Sequence, residues 1–236
     1  MNVLIVFAHH EPRSFNAAMK DEAVRLLEGE GHAVQVSDLY AMNFNPVASA
    51  ADFGERANPD YLVYALEQRN AFNKGTLAPD IAAEIDKVKW ADLIIFNFPI
   101  YWYGMPAIMK GWVDRVFVSG FCYGGRRIYD KGGLKGKSAM LAISLGGQAH
   151  MFGPEAIHGE LEVMLQPILR GMLGYVGLTV LPPYVAWHVP YVSPDIRAEI
   201  LQGYRQHLLT LDARAPLRFP SVDDFDQDLR PRPAVD

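Results

Sequence analysis

The sequence predicts an α/β fold in which a five-stranded parallel sheet carries helices on both faces, followed by a short C-terminal appendage. Short apolar runs rich in β-favouring residues alternate with segments whose apolar residues recur at helical spacing. The run over residues 91–98 is almost continuously apolar, which is typical of a parallel strand buried on both faces. The 236 residues, half of them apolar, are enough for one large core.

Each element has its own local signal. The five strands are expected at residues 2–7, 32–37, 91–98, 138–144 and 178–186. Ser14 is a suitable N-cap for the first helix, and Gly29 and Gly31 end it. Pro106 suits the first turn of a helix after the third strand. Ser193, with a proline and an acid behind it, predicts the start of the last helix.

The chain is expected to divide into one domain and a tail. Residues 1–215 form the predicted α/β domain, and residues 216–236 form a C-terminal surface tail, partly disordered from residue 219 onward. Residues 43–80 form a long insertion between sheet elements, and insertions of this length are usually functional or contact a partner.

Composition argues against several function classes. The net charge of −5 and the absence of a basic stripe argue against nucleic acid as a partner. No apolar run is long enough to predict a membrane span. Cys122 is the only cysteine, which favours a cytoplasmic location and a packed, unreactive thiol.

Three loops at predicted strand ends carry unusual residues, and ligands of open parallel sheets bind at such ends. The first, residues 8–16, leads into a helix N-terminus that attracts anions, and His9, Arg13 and Ser14 add donors. It contains no glycine, so it is neither a GxGxxG turn nor a P-loop. The alternative to an anion site is that these residues simply form a polar turn and the cap of the following helix.

The second loop holds three consecutive aromatics, Tyr101 to Tyr103, and the third holds the pair Gly146 and Gly147. Aromatics can also pack into a core or a subunit interface, and turns use glycine pairs often. Together, an anion-binding helix end, an aromatic wall and a glycine shelf describe a flavin site.

Longer motifs point to a known family. They are Ser14-Phe15-Asn16, the run from Ser37 to Pro46, the run from Pro99 to Trp112, Gly146-Gly147 and Ile157-His158-Gly159. Through them the chain closely resembles the NAD(P)H:quinone oxidoreductases, the DT-diaphorases, over nearly all of residues 2–220. The resemblance implies a flavodoxin-like fold, bound FAD, a homodimer with each active site at the interface, and two-electron reduction of quinones by NADH or NADPH.

The resemblance also implies residue roles. The FAD phosphates and ribityl chain would be bound by His9, Ser14, Phe15, Asn16 and Ala18. Arg13 stands where the family usually has a small hydroxyl residue, and it would strengthen the phosphate contact. The flavin ring would be surrounded by Pro99, Ile100, Trp102, Tyr103, Ser144, Leu145, Gly146 and Gly147, with Arg197 at the adenine end. The substrate pocket would comprise Trp102, Tyr103, Gly146, Gly147, Met151 and His158, with Tyr123, Ile128 and Tyr175 supplied across the dimer interface. Catalysis would involve Gly147, His158 and the position of Phe152.

The chain departs from the family pattern at several positions. Phe152 stands where the family has its catalytic tyrosine, and a phenyl ring cannot donate a hydrogen bond. Arg170 and Gly174 occupy the histidine positions of a metal site found in a short-form relative, so no structural metal is predicted. Two alternatives remain open: an FMN-dependent azo- or nitro-reductase on the same fold, and a flavodoxin-like electron carrier or redox-sensing module.

Overall fold

The fold is built on a twisted parallel sheet at its centre. The computed structural model describes residues 1–232. Its strands are β1 (Asn2–Phe7), β2 (Ala33–Asp38), β3 (Leu93–Pro99), β4 (Ser138–Ser144), β5 (Thr179–Val180) and β6 (Tyr184–Ala186). The strand order is β2-β1-β3-β4-β5, and β6 also pairs with β4. All pairs are parallel. The chain adds β2 on one side of β1 and then β3 on the other side, so the strand order reverses between β1 and β3.

The predicted fifth strand is wrong in one respect. Residues 178–186 form two short strands, β5 and β6, which pair with different parts of β4. Pro182 and Pro183 lie between them, and proline has no N–H to donate to a strand ladder. The other four strands lie within two residues of their predicted bounds.

Helices cover both faces of the sheet, as predicted. They are α1 (Phe15–Gly29), α2 (Tyr64–Lys74), α3 (Pro79–Trp90), α4 (Ala107–Val116), α5 (Leu161–Met164), α6 (Gln166–Ile168) and α7 (Pro194–Leu209), with a π-helical segment at Leu169–Gly174. Val3 and Ile5 of β1 pack with α1 and α7, whereas Leu4 and Val6 pack with α3 and α4. Because strand side chains alternate, β1 contributes to two separate cores.

The insertion at residues 43–80 is an ordered part of the fold that includes α2. Arg115 on α4 is buried and donates to Asp52 Oδ1 at 2.9 Å and Asp80 Oδ2 at 2.6 Å. The hydroxyl of Tyr64 donates to the other oxygen of Asp52. These bonds raise the pKa of Arg115 although burial acts against its charge. Arg115 also donates to the Asn45 carbonyl at 2.8 Å, so one buried cation holds both ends of the insertion against α4.

The tail lies on the surface, and specific contacts connect it to the rest of the fold. The partial disorder expected from residue 219 onward stays a prediction. The Leu217 amide donates to the Val180 carbonyl at 2.8 Å, which connects the tail to β5. The Val222 amide donates to Asp130 Oδ1 at 2.7 Å, and Val222 is buried. Residues 233–236 of the predicted tail lie outside the described residues.

Within residues 1–232, no helix has both the length and the apolar character that crossing a bilayer requires.

Candidate active site

A cleft of about 410 Å³ opens at the carboxyl ends of β1, β3 and β4. Its lining comprises His9, Arg13, Ser14, Phe15, Asn16, Pro99, Ile100, Tyr101, Ser144, Leu145, Gly146, Val189, Pro190 and Arg197. The structure therefore brings the three predicted loops together, at the point where the strand order reverses. We call this space the nucleotide cleft. Its volume is within the range of about 300–1,000 Å³ that is usual for small-molecule sites.

The first turn of α1 forms one end of the nucleotide cleft. Ser14 Oγ accepts the Ala17 amide at 3.1 Å and so caps the helix. The amides of Phe15 and Asn16 lie in the first turn, where no intrahelical carbonyl is available to them. The helix dipole adds partial positive charge, and the exposed guanidinium of Arg13 adds a cation, although Glu11 Oε1 lies 3.4 Å from it. This end of the cleft is suited to an anionic group.

His9 adds a neutral donor to the same end. Its Nδ1 accepts the Glu11 amide at 3.0 Å, which places the ring proton of the neutral form on Nε2. Burial lowers the pKa of His9, and the neighbouring His10 lowers it further, although Glu11 acts in the opposite direction. At neutral pH the His9 imidazole is therefore uncharged, with Nε2–H available to a ligand.

A buried polar network fixes the floor of the cleft. The Asn16 side chain donates to Asn97 Oδ1 at 3.0 Å and accepts from Ser144 Oγ at 2.6 Å. Asn97 in turn donates to the Asn16 carbonyl at 3.1 Å. All three residues are buried, so unpaired polar atoms here would be costly. The network joins α1, β3 and β4, and it leaves Asn16 to face the ligand through its backbone.

The aromatic loop is a strained turn. Trp102 and Tyr103 both have positive φ, 51° and 58°, and reciprocal backbone bonds of 3.0 and 3.1 Å close the turn between Tyr101 and Gly104. Two positive φ angles are the pattern of a type I′ turn, where Asn and Gly are the usual residues. Aromatic residues cost of order 1–3 kcal/mol each in this conformation, and such strain concentrates at ligand sites. The Trp102 side chain is 98% exposed.

A second, smaller cleft of about 220 Å³ adjoins the first. It is lined by Ile100, Trp102, Tyr103, Leu145, Gly147, Phe152, His158 and Leu161, and so shares Ile100 and Leu145 with the nucleotide cleft. We call it the ring cleft.

Three aromatic groups meet in the ring cleft. The Tyr103 hydroxyl lies 3.1 Å from His158 Nδ1. The Phe152 ring lies 5.0 Å from the His158 ring, measured between centroids. A Cβ at Gly147 would approach Phe152 Cε2 to 2.9 Å, so this close packing requires glycine. Gly147, Phe152 and His158 are therefore adjacent, as the predicted catalytic group requires.

Some predicted residues lie elsewhere. Ala18 and Met151 line neither cleft, and Ile128 is buried. Tyr123 and Tyr175 pack together, 5.7 Å between ring centroids, in a third cleft of about 410 Å³. This third cleft shares no lining residue with the other two. A single chain does not bring Tyr123 and Tyr175 to the ring cleft.

Sequence reasoning missed several lining or supporting residues. Val189 and Pro190 line the nucleotide cleft, and Asn97 supports its floor. Tyr101, which also lines this cleft, belongs to the aromatic loop predicted from the sequence. Asn97 had a signal, because it is a polar residue within the apolar run of β3. Val189 and Pro190 lie in a short 3₁₀ helix after β6 and have no motif of their own.

Among residues 1–232, no three His, Cys, Asp or Glu side chains are grouped so that they could hold a metal ion. The expected absence of a structural metal stays a prediction.

The chain is similar in sequence to known proteins over most of its length. A family model described as a flavodoxin-like fold matches residues 1–210. NAD(P)H dehydrogenase (quinone) 1 of Rattus norvegicus is 44% identical over 224 residues, which cover 94% of this chain and 82% of that protein. Ribosyldihydronicotinamide dehydrogenase (quinone) of Homo sapiens is 41% identical over 216 residues, covering 91% and 94%. The chain belongs to the NAD(P)H:quinone oxidoreductase family.

Solved structures agree with this membership. A Klebsiella pneumoniae protein, assigned provisionally as a quinone reductase, has a TM-score of 0.93 and 40% identity over 99% of this chain and 94% of its own. General stress protein 14 of Treponema denticola, solved in complex with FMN, shares the fold at a TM-score of 0.63 and 23% identity over 90% and 99%. The resemblance and the flavodoxin-like fold predicted from the sequence are confirmed. In this quinone oxidoreductase family member, the clefts are the candidate active site.

Proposed function

We propose that the protein is an FAD-dependent NAD(P)H:quinone oxidoreductase that transfers two electrons to quinones by a ping-pong mechanism, as a homodimer in the cytoplasm. The observation that carries this proposal is the pair of adjoining clefts, one ending at the first turn of α1 and the other lined by aromatic rings. Family membership at 41–44% identity supports the choice of quinones and NAD(P)H.

The nucleotide cleft fits a flavin nucleotide. The amides of Phe15 and Asn16, with His9, Arg13 and Ser14, offer donors to phosphate oxygens. Bound flavin would supply reversible hydride chemistry, which no side chain in the cleft can provide. The flavin ring would lie against apolar side chains and glycine backbone, which belong to Pro99, Ile100, Leu145, Gly146 and Gly147. Arg197, which comes from α7, offers a further contact that favours FAD over FMN.

The ring cleft fits a flat substrate. Ile100, Leu145 and Phe152 supply apolar walls, and Tyr103 and His158 supply polar atoms. Its volume of about 220 Å³ suits one small ring system at a time. Nicotinamide and quinone would therefore occupy it in turn, which is the physical basis of the ping-pong order.

A second copy of the chain would complete the site. Tyr123 and Tyr175 line an apolar cleft of their own, and Trp102 extends into solvent beside the ring cleft. Large apolar surfaces on a single chain commonly mark an interface. A homodimer would cover these surfaces and would bring the two tyrosines into the partner's substrate pocket.

Cofactor release followed by turnover assays tests the proposal. The purified protein should be yellow, and chromatography of the flavin released by heat should identify FAD. NADH and NADPH should each be tested with menadione as the quinone, and at least one should support rapid reduction. FMN alone would favour the azo- or nitro-reductase, and bound flavin without NAD(P)H turnover would favour the electron carrier. No flavin after reconstitution would contradict all of these.

A further inference from the structure

One polar contact in the ring cleft has no assigned role. The Tyr103 hydroxyl and His158 Nδ1 are 3.1 Å apart, and both side chains line the cleft. Tyr103 is 43% exposed, so its hydroxyl is accessible to a molecule that enters. Phe152, which packs on His158 and on Trp187, has no polar atom to offer.

We propose that Tyr103 is a catalytic residue that delivers a proton to the bound quinone, with His158 as the residue that replaces that proton. The inference deepens the proposed function and rests on it. The hydroxyl group that donates the proton is thereby placed on the strained aromatic turn.

The proton balance of the reaction requires such a donor. A quinone becomes a hydroquinone by gaining two electrons and two protons. NAD(P)H supplies both electrons and one proton as a hydride equivalent, and is oxidised to NAD(P)⁺. The second proton would come from Tyr103: its O–H bond breaks as an O–H bond forms on the quinone. The Nδ1 proton of a charged His158 then moves to the Tyr103 oxygen, and solvent reprotonates His158.

The geometry holds both groups in place for this transfer. The turn between Tyr101 and Gly104 is closed by two backbone bonds, which fixes the direction of the Tyr103 side chain. The His158 amide donates to the Met151 carbonyl at 3.1 Å, and the Phe152 ring packs against the imidazole. Neutral His158 accepts the Tyr103 hydroxyl at Nδ1 when its ring proton is on Nε2. Charged His158 donates there instead, which leaves the hydroxyl hydrogen for the substrate.

Measurement of the two half-reactions separates this role from a structural one. In Tyr103→Phe, stopped-flow reduction of the holoenzyme by NAD(P)H should keep its wild-type rate. Reoxidation of the reduced enzyme by menadione should slow by about 10- to 150-fold, the effect of one lost hydrogen bond to a charged group. Tyr61→Phe is the matched control, since Tyr61 is exposed on the insertion, away from both clefts, and should change neither rate.

A second readout does not depend on turnover. The ¹⁵N resonance of His158 Nδ1 should shift in Tyr103→Phe and stay in place in Tyr61→Phe, because only the first change removes its hydrogen-bond partner. An unshifted resonance, a wild-type rate of menadione reduction, or equal slowing of both half-reactions in Tyr103→Phe would each overturn the inference alone. A wild-type protein without quinone reductase activity would overturn the proposed function, and this inference with it.

Discussion

His207, on the sheet-facing side of α7, is a buried histidine whose charge the fold disfavours. Burial, and to a smaller extent the nearby Arg214, lower the pKa of His207 to about 4, and the hydrogen bond with the Pro182 backbone only partly opposes them. The ring packs against Tyr184, and Nε2 has no hydrogen-bond partner among the described residues. The native state therefore holds this imidazole neutral, whereas the unfolded chain would protonate it near its ordinary pKa of 6.5.

This difference predicts the direction of a pH effect on stability. Between about pH 6.5 and 4 the unfolded state binds more protons, so the free energy of unfolding falls as pH falls. Above about pH 6.5, His207 should cost no stability, because it is neutral in both states. Below that pH, it should lower the free energy of unfolding by up to about 1.4 kcal/mol per pH unit.

Urea unfolding of the flavin-saturated protein at several pH values would measure this slope. His207→Leu should flatten it, while His150→Leu, at an exposed site, should leave it unchanged. Equal pH dependence in the wild type and His207→Leu would contradict the prediction.

At the scale of elements, the insertion and α4 are in direct backbone contact. Gly111 lies on the buried face of α4, and a Cβ there would approach the Pro46 carbonyl oxygen to 2.2 Å. Gly111→Ala should therefore lower the free energy of unfolding by roughly 1–3 kcal/mol, the usual cost of overpacking.

Chemical denaturation of matched glycine variants checks this expectation. Gly29→Ala is the control, because nothing lies within 4 Å of a Cβ at the end of α1. The control should be neutral or slightly stabilising. Equal stability of the two variants would show that the insertion can move away from α4 without cost.

Local signals predicted the elements, but not the contacts between them. Ser14 and Ser193 cap their helices as expected, since a cap depends only on neighbouring residues. The salt bridge from Arg115 to Asp52 spans 63 positions, and no local pattern indicates it. The break between β5 and β6 was readable from Pro182 and Pro183, whose missing N–H groups prevent a continuous strand.

The candidate site was predictable to the extent that it lies on strand ends. Parallel strands place their carboxyl ends together, so the three loops converge as the strand order requires. The bond between Tyr103 and His158 spans 55 positions and depends on a turn that aromatic residues rarely adopt. Sequence patterns could name both residues, but could not show that their polar atoms meet.

At the scale of the whole molecule, the third cleft makes the proposed dimer testable. It is mainly apolar, and Met172 lies in its lining beside Tyr123 and Tyr175. Met172→Arg would place a charge in a surface that a second copy is proposed to cover. We expect the wild type to sediment as a dimer at micromolar concentration and the variant to sediment as a monomer, because burying an unpaired charge at an interface is costly.

Activity should follow assembly in the same variant. If Tyr123 and Tyr175 complete the partner's substrate pocket, Met172→Arg should lose quinone reduction while retaining flavin, whose cleft contains neither tyrosine. Leu209→Arg is the control, since Leu209 is half-exposed at the end of α7 and away from this cleft. A wild-type monomer with full quinone reductase activity would contradict the dimer. A monomeric Met172→Arg with wild-type kcat/KM would show that each chain carries a complete site, so that the ring cleft alone suffices for the substrate.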